Sequence, residues 1–138
     1  DGGAGNDTIG LVSASFFHID GGNGTDTIAL NGAGLTLDLT TILPASIESI
    51  ERIDITGTGN NAVGLTISDV LDISDDSNSL LVAGNAGDSA DIGAGWTKAA
   101  TGGSNGNGTS TIAGQTYQHF NAGQASLLVD TDIGVLTS

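Results

Sequence analysis

Alternation of apolar and polar residues picks out the first elements. Leu35-Thr-Leu37-Asp-Leu39 repeats with period two, the pattern of a strand with one buried face. Val63, Leu65 and Ile67 alternate in the same way, and Ile47, Ile50, Ile53 and Ile55 lead into the glycine turn Gly57-Thr-Gly-Asn-Asn61. Residues 79–83 and 125–129 read as strands, and residues 109–112 and 115–120, either side of Ala113-Gly114, as a hairpin. Residues 101–108 are nearly all Gly, Asn, Ser and Thr, which predicts a loop tip. One segment, Ser68-Asp-Val-Leu-Asp-Ile73, predicts a short helix, with Ser68 as N-cap and Asp69 in the favourable first turn.

Before residue 30 a different order holds. Asp1-Gly-Gly-Ala-Gly-Asn-Asp7-Thr-Ile9 and Asp20-Gly-Gly-Asn-Gly-Thr-Asp26-Thr-Ile28 share the string Asp-Gly-Gly-x-Gly-x-Asp-Thr-Ile. Each copy can bury its apolar end only against a neighbour, so the pair predicts two stacked coils of a parallel β-roll, a coil taking about eighteen residues. The glycines permit positive φ and close backbone approach, which lets carbonyl oxygens converge on one ion. Asp7 and Asp26 add the negative charge, while Ile9 and Ile28 point to the core. Residues 11–19, with Phe16, Phe17 and Ile19 but no glycine loop, read as the opposite half-coil.

Composition sharpens this picture. The 138 residues hold 23 glycines, no cysteine and no methionine, and 16 acidic side chains against two basic ones, a formal charge of −14. Such a charge argues against nucleic acid or anionic lipid as partner, and no apolar run approaches the ~20 residues of a membrane span. Disulfides and thiolate zinc are excluded. With 38% hydrophobic residues the chain is too apolar for a disordered acidic tail, and its length fits one domain, 1–138, with repeats at 1–30 and a β-rich module at 31–138. Fourteen of the acids are Asp, most beside Gly, Asn, Ser or Thr. Short carboxylates in tight turns suit a hard cation with six to eight oxygen ligands, and calcium is the natural candidate.

Asp7 and Asp26 are the leading metal ligands, with the loop carbonyls of Gly3, Gly5, Gly22 and Gly24 and with Asp1 and Asp20 as further candidates. Asp88 and Asp91, in the glycine-acid loop Gly84-Asn-Ala-Gly-Asp88-Ser-Ala-Asp91, stand second because their spacing departs from the repeat. The expected architecture is all-β: a calcium-binding parallel β-roll segment continuing into a β-solenoid or β-sandwich with one short helix.

Residues 1–29 resemble the repeats-in-toxin (RTX) calcium repeats of secreted bacterial toxins, proteases and adhesins. The segments Leu35-Thr-Leu-Asp-Leu-Thr, Ile50-Glu-Arg-Ile-Asp-Ile-Thr-Gly-Thr-Gly-Asn-Asn61, Asp69-Val-Leu-Asp-Ile-Ser74 and Ser126-Leu-Leu-Val-Asp130 resemble modules near the C-terminal ends of large RTX adhesins. That resemblance implies type I export, folding outside the cell in millimolar calcium, and attachment of the parent adhesin to surfaces, host cells or biofilm. It also implies, as an alternative, calcium-dependent capture of a peptide or glycan. The start at Asp1 reads as a piece of a longer chain, with neighbouring domains as further partners.

Catalytic motifs fail on context. Gly102-Gly-Ser104-Asn-Gly106 fits the pattern of a nucleophile elbow but lacks the flanking strand and helix, and no acid lies between Ser104 and His119. Gly57-Thr-Gly-Asn-Asn-Ala62 opens a strand, not the helix a dinucleotide loop needs. His18 and His119 are the only histidines and read as strand residues, and Trp96 reads as a core residue before a ligand contact. The expectation is a protein without enzymatic activity, a hydrolase or lyase accessory role being the lowest alternative.

Overall fold

The computed structural model describes residues 1–137, so the last residue of the expected 1–138 unit lies outside the described residues. In chain order the elements are β1 (Thr8–Leu11), β2 (Ile19–Asp20), β3 (Thr27–Leu30), β4 (Thr36–Asp38), a 3-10 turn (Leu39–Thr41), β5 (Ile47–Glu48), β6 (Arg52–Asp54) and β7 (Ala62–Gly64). There follow α1 (Ile67–Ile73), β8 (Ser79–Ala83), β9 (Ser89–Asp91), β10 (Thr97–Lys98), β11 (Thr109–Ile112), β12 (Gln115–Ala122), β13 (Ala125–Asp130) and β14 (Gly134–Leu136). The expected all-β class with one short helix is what the chain adopts.

The strands stack as coils. β1, β3, β6, β8 and β13 pair in parallel, each with the next, and β4, β7, β9 and β14 form a second parallel sheet in the same stacking order. β2 and β5 pair on a third, short face. An excursion between β9 and β13 adds β10, β11 and β12, which run antiparallel and extend the first sheet past β13. The expected hairpin at Ala113-Gly114 is thus present, β11 lying against β12.

The core lies inside the coils. Ile28, Ile53, Val82 and Val129 occupy one register row of the first sheet, and Leu37, Val63 and Ala90 face them from the second, all at most 1% exposed. Such rows of β-branched and leucine side chains are what period-two alternation buries when coil stacks on coil. The helix caps one face with Val70 and Ile73 buried, and the Ile73 carbonyl accepts from the Ile50 amide. Its N-cap is Thr66, not the expected Ser68. Thr66 Oγ1 accepts from the Asp69 amide and Asp69 Oδ2 accepts from the Thr66 amide, a reciprocal box that starts the helix two residues earlier. Ile67, read from its alternation as strand, therefore opens the helix. The expected half-coil over residues 11–19 shrinks to β2; Ile19 is buried, but Phe17 is 99% exposed.

Tyr117 on β12 is buried, and loss of water pushes its phenol above its ordinary value, the nearby Arg52 guanidinium opposing the shift. It is the chain's single tyrosine, so absorbance during alkaline titration reads it alone. We expect ionisation above the ordinary value of about 10. Because the native state then holds its proton longer than the unfolded state, stability falls as pH rises between the two values. A phenol titrating at its ordinary value would contradict the burial.

Candidate metal centre

The two aspartate-glycine loops stack in register, nineteen residues apart. Thr8 pairs with Thr27 and Ile9 with Ile28 in the strands they open, and Ala4 bridges Asn23 between the loops themselves. The Gly2 amide donates to the Asp20 carbonyl (2.8 Å), the Asn23 amide to the Gly3 carbonyl (2.8 Å) and the Gly5 amide to the Asn23 carbonyl (2.7 Å). Gly3, Gly5, Gly22 and Gly24 all take positive φ, at 95°, 116°, 93° and 152°. A Cβ on Gly22 would overlap the Gly3 carbonyl and one on Gly24 the Gly5 carbonyl, so both carbonyls lie in the seam between the loops.

Carboxylates tie the coils together at this corner. Asp26 Oδ1 accepts from the Asp7 amide at 2.7 Å, and Glu51 Oε2 accepts from the Asp26 amide at 2.8 Å. Each carboxylate thus reaches back to the amide at the same register position of the preceding coil. What the ladder leaves over is decisive: Asp7 Oδ2 and Asp26 Oδ2 are buried and have no hydrogen-bond partner among the described residues, and Asp26 is 0% exposed. A carboxylate oxygen withdrawn from water without a partner is costly, and native proteins rarely tolerate one.

Among the described residues no side-chain cation meets them. The ion pair found among the described residues is His18 with Glu48, at 3.6 Å on the surface. Burial raises the Glu51 carboxyl above its ordinary value; the Asp26 amide works against this, and the charges of Asp26 and Asp76 add to it.

A backbone carbonyl stands beside each orphan. About the position a Cβ would take on Gly2 stand the Gly21 carbonyl at 2.5 Å and Asp7 Oδ2 at 3.0 Å. Among the described residues no three His, Cys, Asp or Glu side chains gather as a metal cluster, so an ion here would draw on carbonyls as well as carboxylates. That is the donor set a hard cation takes. The residues fit calcium.

Of the remaining sequence candidates, Asp20 Oδ1 closes its own turn on the Gly22 amide at 3.0 Å, and Asp1 is exposed at the start of the first loop. Asp88 and Asp91 sit elsewhere, just before β9 of the second sheet and at its end. Asp88 is buried with both oxygens satisfied, by the Asn61 amide at 2.8 Å and the Asn85 amide at 2.7 Å, and exposed Asp91 accepts from the Gly93 amide. Spacing within the repeat could not single out Gly21 or Glu51; their proximity to the orphaned oxygens depends on which coil lies next.

A serine-histidine contact does form in the excursion, but not at Ser104. Ser110 Oγ lies 2.7 Å from His119 Nε2 and accepts from the Ser104 amide. Ser110 is 9% exposed, and among the described residues no carboxylate bonds His119. Trp96 is half-buried against the core and donates Nε1–H to the Ile92 carbonyl at 2.7 Å. Compared with known protein families, with curated proteins and with solved structures, the chain matched none of them.

Proposed function

We propose that this is a calcium-binding, non-enzymatic extracellular domain of a secreted RTX adhesin, in which metal locks the glycine loops and stiffens a module of a longer attachment protein. The observation that carries the reading is the pair of buried, unpartnered carboxylate oxygens of Asp7 and Asp26 inside two stacked loops of identical pattern. One calcium ion between the loops supplies the missing partner of Asp7 Oδ2, held with it by the Asp26 carboxylate and seam carbonyls such as that of Gly21. The chain's own residues then do the rest: glycines turn the carbonyls inward, and the parallel ladder of β1 and β3 fixes the distance between the loops.

Net charge supports the same reading. Fourteen uncompensated negative charges oppose compaction. Where free calcium is scarce, as in a cytoplasm, this repulsion keeps the chain export-competent; millimolar calcium outside reverses it. Calorimetric titration of chelator-stripped domain tests the proposal. Saturable calcium binding is expected, with a site that Asp7→Asn abolishes or strongly weakens; a wild-type domain that takes up no calcium at millimolar concentration removes the reading.

A further inference from the structure

We propose a second calcium site one step further along the stack, where the loop ending in Asp26 meets the turn Glu48–Glu51; it rests on the calcium reading of the first. Sequence pattern gives no hint of it, because the turn contains no glycine and does not belong to the repeat.

The geometry repeats that of the first site with new residues. At Gly2, the carbonyl of the next coil (Gly21) and the carboxylate of the same loop (Asp7 Oδ2) flank one point. At Gly21 the same point is flanked by the Ser49 carbonyl, which a Cβ there would overlap, and by Asp26 Oδ2 at 2.8 Å. Ser49 occupies the register place of Gly21, since Asp20 pairs with Glu48. The two oxygens are close enough for a single ion, with bonds of about 2.3–2.6 Å, to touch both.

Asp26 faces two ways. Its Oδ1 is turned back to the Asp7 amide, and its Oδ2 has no partner although the residue is 0% exposed. Glu51 engages only Oε2, with the Asp26 amide, which leaves Oε1 for a ligand. A carbonyl, a buried carboxylate oxygen without a partner and a second carboxylate beside it are an oxygen donor set with a surplus of negative charge. Water completes the rest of a calcium ion's shell.

The experiment counts ions. Equilibrium dialysis of the chelator-stripped domain against calcium chloride is run for wild type, Asp7→Asn and Glu51→Gln. Glutamine keeps an acceptor for the Asp26 amide and removes the charge, and circular dichroism confirms the fold of each variant. Two ions per wild-type chain are expected, with Glu51→Gln weakening one by about tenfold to a hundredfold and leaving the other intact. A wild-type count of one overturns the second site even if a variant fails to fold, and so does a count of two that Glu51→Gln leaves unchanged in affinity. A single wild-type ion, lost in Asp7→Asn and kept in Glu51→Gln, would leave the first site standing and the second refuted, whereas no ion at all would remove both.

Discussion

Adding calcium to the chelator-stripped domain raises its melting midpoint by roughly 10 °C once free ion exceeds the dissociation constant a hundredfold. An ion that binds only the folded state stabilises it by RT ln(1 + [Ca]/Kd), about 2.7 kcal/mol at that excess. Relief of the two orphaned oxygens sets the sign. In the metal-free protein Asp7 Oδ2 and Asp26 Oδ2 remain buried without partners, so the folded state bears a cost the unfolded chain escapes. The share of the increment that comes from the ion at Asp7 should be lost in Asp7→Asn. Magnesium should give little of it, because a smaller ion that demands octahedral geometry fits a carbonyl-lined seam poorly. Differential scanning calorimetry in chelator, calcium and magnesium reads all three, and a midpoint indifferent to calcium would contradict the proposed role of the loops.

The parts of this fold that could be read from the chain are those whose cause is local. A repeat of nineteen residues placed Thr8 opposite Thr27, and the glycines that had to take positive φ in the loops take it. Alternation located β4, and turn chemistry located the β11–β12 hairpin. The helix was visible while its cap was not. Ser68 and Thr66 are both acceptable N-caps, and only Asp69, which returns the bond to the Thr66 amide at 2.7 Å, decides between them.

What resisted reading is long-range. β8 pairs with β13 across the whole excursion of β10, β11 and β12, and no periodicity announces a strand partner on the far side of an insertion. The site shares this property. Glu51 looks like a solvated acid in Ile50-Glu-Arg-Ile53 until the third coil lies on the second and brings its carboxylate to the Asp26 amide. Phe17, in the segment read as the opposite half-coil, stands almost wholly in water, because between β1, which ends at Leu11, and β2, which begins at Ile19, no strand forms.

Asn61 shows the same logic at the opposite corner and gives the second large effect. In the sequence it ends a turn that has exchanged carboxylates for amides; in the fold it is 1% exposed and bonds with every group it has. Its Oδ1 accepts from the Leu35 amide at 2.8 Å, and its Nδ2 donates to the carbonyls of Ile55 at 3.1 Å and Gly32 at 3.2 Å. Its own amide donates to Asp88 Oδ1, so the residue joins three successive coils. Asn61→Ala keeps the last of these bonds and strands one donor and two acceptors in the interior. At roughly 1–3 kcal/mol for each buried group left unpaired, and with the two carbonyls able to relax in part, the loss should be about 3–5 kcal/mol. Asn61→Asp is the sharper comparison. It retains the acceptor for Leu35 but replaces a double donor by a buried charge facing two carbonyls, so it should be at least as damaging as alanine, although it restores the residue type of the calcium repeats. Urea unfolding in saturating calcium measures both, with the slope of the transition unchanged if the native coils persist. An aspartate variant as stable as wild type would mean that this corner, too, recruits a cation when offered a carboxylate.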